Sequence, residues 1–536
     1  MTIDRRGFLG YAALGSALAM AKPLSAIAQS SPSANPDLEE ITIGELQDAM
    51  SSGRWTARAI TERYLGRIDA IDKHGPMVNS IIELNAEALA IADAMDRERK
   101  AGHVRGPLHG IPVVIKDNID TADRMATSAG SLALAENHAA RDAFVVSRLR
   151  EAGAVILGKT NLSEWANFRS THSTSGWSGR GGLTKNPYVL DRNACGSSSG
   201  TGTAIASNLA AIGIGTETDG SVVCPSSASG LVGIKPTLGL ISRAGIIPIA
   251  HSQDTSGPMA RTVRDAAILL GILTGADERD PVTVSSRTKG HADYTRFLDA
   301  DGLKGARIGV ARQYFGFNDA TDRLMKDAIA LIKSLGATIV DPANIATNGK
   351  FDATENDVLQ YEFKTDINKY LANAPAPVKS RTLADLIKFN EVHRAEEMPY
   401  FGQEIFEQSE KRGPLSEKKY VAALAKNHRL ARTEGIDATI AKHKVDAIIA
   451  PTGGPVWATD LVNGDHFTGG YSSASAVAGY PHITVPAGMV FGLPVGLSFF
   501  AGAWSEPALI KFAYAFEQAS KARQKPKFLA TAALSS

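Results

Sequence analysis

The spacing of apolar residues changes character once along the chain. Ahead of about residue 110, Ile60, Tyr64 and Ile68 recur at helical spacing, and Thr42 followed by Glu45 supplies a capping box for the first helix. Beyond 110 the pattern becomes short apolar runs. These predict buried strands at 112–116, 154–158, 211–215, 306–311, 337–340, 446–450, 483–487 and 495–500. Helical segments lie between several of them. Asp142 is placed to cap a helix carrying Val145 and Leu149. Ser505 is placed to cap one that shows Leu509, Phe512, Ala513 and Phe516 on a single face. Strands alternating with helices predict an α/β fold, a large central mixed sheet covered by helices on both faces. Residues 350–435 are rich in helix formers and charge and read as a helical sub-region against the sheet. Residues 275–300 are polar and read as a surface connection, and no repeat of fixed period is visible.

The start of the chain follows a different rule. Asp4-Arg5-Arg6-Gly7-Phe8-Leu9-Gly10 precedes an apolar stretch from Tyr11 to Ala21, and Ala26-Ile27-Ala28 has the small-x-small form of a cleavage site. Residues 1–28 therefore read as a twin-arginine export signal. That predicts a periplasmic or secreted bacterial protein, the export machinery as a partner, and no stable membrane insertion of the mature chain. Residues 29–38 are a Pro/Ser-rich linker, and 39–530 read as a single domain.

Composition narrows the classes further. The chain has 536 residues, 44% of them hydrophobic, which is ample for a large core. A net charge of +1 gives no basis for a nucleic-acid partner. No C-x-x-C, Cys/His cluster or H-E-x-x-H occurs, so neither a metal nor a cofactor is expected. Cys195 and Cys224 are the only cysteines. A disulfide suits an exported protein, and two small buried thiols fit the sequence equally well.

Candidate chemistry lies in three stretches, none of which holds a histidine. Lys116 ends the apolar run Ile111-Pro-Val-Val-Ile115. Burial there would favour the neutral amine, which can accept a proton. A lysine that reaches water or pairs with Asp117 is the plainer alternative. Gly196-Ser197-Ser198-Ser199-Gly200-Thr201-Gly202 precedes a small-residue helix expected over Ala204–Ala211. It lacks the lysine of a Walker A loop. It matches Gly-x-Ser-x-Gly in letters, with Ser198 at the elbow, but Asn186–Ala194 reads as loop where that motif needs a strand. Thr218-Asp219-Gly220-Ser221 is a glycine turn whose backbone N–H groups can point one way and form an oxyanion hole. Gly213-x-Gly215 lacks the third glycine of a dinucleotide fingerprint.

Taken together, these stretches resemble the amidase signature family. The match extends to Leu157-Gly-Lys-Thr-Asn161, Gly233-Ile-Lys-Pro-Thr237 and Gly492-Leu-Pro-Val-Gly496, and covers roughly 40–525. Within the family the chain looks closest to bacterial peptide amidases. That rests on Ser163-Glu-Trp-Ala-Asn-Phe168, the triple serine, Thr216-Glu-Thr-Asp-Gly-Ser221 and Ser252–Arg261. The resemblance implies the amidase-signature fold and a triad: Ser221 as nucleophile, Ser197 as bridging serine after a cis peptide, and Lys116 as base. It implies Thr218, Asp219 and Gly220 around the oxyanion, with Ser198 beside the substrate. It further implies hydrolysis of a carbon–nitrogen amide bond through an acyl-enzyme. The substrate would be a small-molecule or peptide amide together with water, with ammonia released from C-terminal peptide amides. An aryl-acylamide or carbamate hydrolase is the alternative within the same chemistry. An amidotransferase subunit shares the implied fold, but its partners are cytosolic, against the export signal. Cys195 and Ser199 stand where many members carry glycine. Trp165, Phe168 and Trp177 are pocket candidates that fit a core role as well.

Overall fold

The computed structural model describes residues 36–533. The expected export signal and nearly all of the linker lie outside the described residues.

Among the described residues thirteen strands follow one another as β1 (Ile81–Leu84), β2 (Pro112–Lys116), β3 (Val155–Thr160), β4 (Trp177–Ser178), β5 (Gly182–Leu183), β6 (Ile212–Glu217), β7 (Val232–Lys235), β8 (Thr255–Ala260), β9 (Arg307–Val310), β10 (Thr338–Val340), β11 (Ala447–Pro451), β12 (His482–Val490) and β13 (Leu493–Phe500). Eleven of them form one sheet in the order β1-β3-β2-β6-β8-β7-β12-β13-β11-β9-β10, while β4 and β5 make a separate two-stranded ribbon. The sheet is mixed. β2 runs parallel to both β3 and β6, β6 through β13 pair antiparallel, and β11, β9 and β10 are parallel again. Every residue of β2, β3, β6, β7, β8, β11 and β13 is buried. Since successive side chains point to opposite faces, a strand buried along its whole length is covered on both.

The eight expected strands all exist, within a few residues at their ends. β1, β7 and β8 add to that set in the sheet, and β4 and β5 add the separate ribbon. β8 reads Thr-Ser-Gly-Pro-Met-Ala, a turn composition, yet it runs through the middle of the sheet with Pro258 opposite Ile214. Its glycine is there for a close approach. A Cβ on Gly257 would lie 1.9 Å from the Ile234 carbonyl oxygen.

The first helix, Ile43–Ser51, has the expected capping box between Thr42 and Glu45. The other two expected caps differ. The helix Phe144–Glu151 begins after Ala143, and Asp142 instead accepts from the Ala122 N–H and pairs with Arg150. Ser505 precedes the helix Glu506–Ser520, but its hydroxyl donates back to the Gly502 carbonyl. Residues 275–300 contain three short helical pieces and bury Thr283 and Tyr294, so they are more than a polar connection.

The stretch from 350 to 435 is helical, led by Asp352–Ala372, Leu383–Val392 and Lys418–His428. It has its own apolar cluster, in which Phe363, Ile367, Leu371, Leu386 and Phe406 close over Trp165 and Phe168. Trp165 meets Phe406 edge-on at 5.6 Å and Phe168 meets Phe363 at 5.2 Å. Trp177 packs against Tyr400 and Phe401. These three aromatics are buried joints between the sheet's loops and the helical region.

Candidate active site

β2 and β6 are parallel neighbours, so their carboxyl ends emerge side by side. Lys116 is the last residue of β2 and Glu217 the last of β6. This register brings Lys116 beside Thr216, which lies 100 residues further along the chain. Lys116 is fully buried. Its Nζ lies 2.7 Å from Ser197 Oγ and 2.9 Å from Thr216 Oγ1. The Asn118 amide also donates to that threonine oxygen, at 2.9 Å. Among the described residues Lys116 has no carboxylate at ion-pair distance. The plain pairing with Asp117 does not occur; Asp117 instead accepts from Ser128 and Gly130 and faces Arg180. Burial lowers the Lys116 pKa from the ordinary 10.5 to about 7, opposed only partly by the negative charges of Glu217 and Asp254. Near neutral pH a large share of this amine is therefore uncharged and able to take a proton.

Ser197 follows a cis peptide bond from Gly196. Its carbonyl accepts from the Ser163 N–H at 3.0 Å, and the next N–H, that of Ser198, donates to the Ser221 carbonyl at 3.2 Å. The two serine loops are thus joined backbone to backbone. They are also joined covalently. Cys195 and Cys224 form a disulfide with their Cα atoms 6.0 Å apart, which resolves the choice that the sequence leaves open. The helix after the serine run is Ser199–Ala206, so it starts inside the run and not at Ala204.

Ser198 departs from its expected place. Its hydroxyl donates to the Thr216 carbonyl and accepts from the Thr216 N–H, both at 3.2 Å, and the residue is fully buried against β6. Its side chain has no access to a substrate, and the elbow reading, which needs an exposed Ser198, loses its basis.

The turn after β6 is shaped by Glu217. Its buried carboxylate accepts from the N–H groups of Val222 and Val223 at 2.7 and 3.0 Å, folding the chain back around Ser221. Gly220 supplies the left-handed residue that the turn requires, with φ +81°. Thr218 Oγ1 donates to Asp254 at 2.6 Å, and the Thr218 carbonyl accepts from Gln253. The backbone N–H groups of Asp219, Gly220 and Ser221 meet no acceptor among the described residues. Donors left open next to a serine are what a developing oxyanion requires.

A cavity of about 550 Å³ abuts this constellation. Asn118, Thr216 and Thr218 form part of its wall, with Ile247, Ile249 and Tyr370 further along. It therefore reaches the groups that hold Lys116, while Ser197 and Ser221 are not among its lining residues.

Sequence reasoning has no role for Thr216, Asn118, Glu217 or Asp254. The available signal is position. Asn118 is two residues from Lys116, and Thr216 and Glu217 stand five and four residues before Ser221. Only the parallel pairing of β2 with β6 reveals that they converge.

The family description Amidase matches residues 59–510. A probable amidase of Arabidopsis thaliana is 42% identical over 503 residues, covering 92% of each chain. A glutamyl-tRNA(Gln) amidotransferase subunit from Halorhodospira halophila is 34% identical, over 90% of this chain and 97% of its own. Among solved structures, the native peptide amidase from Stenotrophomonas maltophilia superposes with a TM-score of 0.87 at 48% identity, covering 91% of this chain and 99% of that one. A peptide amidase bound to the competitive inhibitor chymostatin superposes with a TM-score of 0.89, also at 48% identity.

Proposed function

The chain belongs to the amidase family, an enzyme family acting on carbon–nitrogen amide bonds, and on that premise we propose that it releases ammonia from C-terminal peptide amides through an acyl-enzyme on Ser221. The observation that carries this reading is the 2.7 Å contact between the buried Lys116 Nζ and Ser197 Oγ. An amine with a pKa near 7 and no carboxylate partner among the described residues is suited to collect a proton from a hydroxyl and return it.

The Lys116–Ser197 contact motivates the first proton transfer in the proposed steps. Neutral Lys116 takes the proton of Ser197 as Ser197 takes that of Ser221, and Ser221 Oγ adds to the amide carbon. The negative charge that forms on the carbonyl oxygen is met by the open N–H groups of the 219–221 turn. Lys116, now an ammonium, returns the proton through Ser197 to the amide nitrogen, and the C–N bond breaks with loss of ammonia. Water then adds to the ester and gives up its proton by the same route. The acid departs and Ser221 is regained.

The peptide amide is favoured as substrate by the identity with the peptide amidases, higher than that with the amidotransferase subunits. The roomy cavity beside Thr218 favours one second reading, an aryl-acylamide with a bulky group lodged there. Ammonia release from an amidated peptide, measured beside anilides and carbamates, tests the choice. Turnover of anilides alone would remove the peptide-amide reading. Delivery to the periplasm or beyond by the twin-arginine route is part of the same proposal, motivated by Arg5-Arg6 and the apolar run after it. Cell fractionation with an Arg5→Lys, Arg6→Lys variant checks it, and unchanged export would count against it.

A further inference from the structure

The side chains around the nucleophile turn carry a charge imbalance that the hydrolytic steps do not use. The helix Asp352–Ala372 brings Glu355 against the turn. Gln253 links the two, its Nε2 donating to the Thr218 carbonyl at 3.3 Å and to Glu355 Oε1 at 2.9 Å. Glu355 is only 8% exposed, and its other oxygen accepts no hydrogen bond among the described residues. Asp219 faces the same place. One of its oxygens accepts from Ser473 Oγ at 2.6 Å. The other is sealed from solvent with Ser472 nearby, and accepts no well-formed hydrogen bond among the described residues. Asp352 lies one helical turn before Glu355 and adds a third negative charge, and the charges of Asp219 and Asp352 both bear on Glu355.

Among the described residues none of the three carboxylates has a lysine, arginine or histidine at ion-pair distance. The cation whose charge bears on Asp219 is Lys235, and its ammonium is bonded to the Pro236 carbonyl. Glu355 and the sealed oxygen of Asp219 are buried without a counter-charge, a costly state that a proton or a cation relieves, while Asp352 is exposed. The oxygens do not gather tightly enough for three to hold one metal ion; among the described residues only His251, Glu362 and Asp366 do so. Wider spacing suits an ammonium group, whose three N–H bonds reach separate acceptors.

We propose that Asp219 and Glu355 form a subsite for a cationic ammonium group on the acyl side of the amide substrate. The inference rests on Ser221 being the nucleophile, because Asp219 precedes it by two residues and so fixes the subsite next to the scissile carbonyl. It makes Glu355 a specificity-determining residue contributed by the helical sub-region. The ammonium can come from a free α-amino group or from a basic side chain, and matched substrates separate the two.

The test compares four amides on the full-length enzyme: a dipeptide amide ending in norleucine, the same with lysine in its place, and an aminoacyl amide with its α-amine free or acetylated. The expected result is a kcat/KM at least about tenfold higher for whichever cationic member reaches the subsite, carried mainly by KM. In Glu355→Gln that preference falls to less than about threefold while neutral-amide turnover is kept. Equal kcat/KM for cationic and neutral members in the unaltered enzyme overturns the subsite. So does a Glu355→Gln loss that falls equally on both, since that describes a packing role or a carboxyl pair that merely shares a proton. If Glu355→Gln does not fold, Glu355→Met, which removes the charge at similar side-chain length, is read in the same way. Failure to hydrolyse any of the four amides would speak against the peptide-amide reading itself. Hydrolysis of all four without preference removes the subsite alone.

Discussion

Acid should switch the enzyme off through Lys116, and the structure gives the pH at which this happens. The perturbation is protonation of one buried amine. Desolvation brings its pKa from 10.5 to about 7, a discrimination against the ammonium of about 5 kcal/mol at 1.36 kcal/mol per pH unit. Only the neutral form can accept the proton of Ser197, so activity belongs to the high-pH side and fades as pH falls through the pKa. About half the enzyme is competent at pH 7, about a tenth at pH 6 and about a hundredth at pH 5. The assay is kcat/KM for a neutral peptide amide between pH 5 and 9, which reports the free enzyme. Asp254, raised by burial to about 6, stands close enough to give an acid limb of its own. Temperature distinguishes them, because amine ionisation shifts strongly with temperature and carboxylate ionisation hardly does. A flat profile down to pH 5, or a limb that ignores temperature, would refute Lys116 as the base.

Ser221→Ala and Lys116→Ala should each lower kcat by about 10³-fold or more in the ammonia-release assay with the fold intact by circular dichroism. Ser198→Ala should keep kcat within about tenfold and instead lower stability by about 1–2 kcal/mol, read by denaturant unfolding, because its hydroxyl serves the Thr216 backbone. Full loss of turnover in that variant would revive the elbow reading. Replacing Cys195 and Cys224 by alanine opens a covalent loop spanning 29 residues, for which chain entropy predicts about 3–4 kcal/mol of lost stability, measurable by thermal unfolding. Glu217→Ala removes the acceptor for two N–H groups beside Ser221 and should cost about 10²-fold in kcat with little change in KM, read by steady-state kinetics.

The parts of the fold legible in the sequence are those written in apolar periodicity. β2 is a run of branched side chains and announces itself. β8 does not, because its glycine and proline answer to the closeness of Ile234 and to no local preference. The serine loops are legible as motifs, and so are the residues of the expected triad. Their supports are not. Thr216, Asn118, Glu217 and Glu355 are ordinary residues whose significance comes from pairing across the sheet or from a helix more than a hundred positions away. The Cys195–Cys224 pairing is undecidable from sequence for the same reason, since sequence states the separation along the chain and not the gap across it.

The pairing of β2 with β6 has a consequence for how such a site can change. Val113, Val114 and Ile115 are matched to Ile212, Gly213 and Ile214, and this ladder sets where Lys116 stands beside the end of β6. A slip of one residue would turn the lysine to the opposite face of the sheet. Among the nearly hundred residues between the two strands, the stretches outside Asn118, β3, Ser163 and the serine run carry no such constraint. They can lengthen, shorten or exchange their pocket walls while the hydrogen-bond ladder goes on measuring the same gap, so the chemistry can stay fixed as the choice of amide drifts.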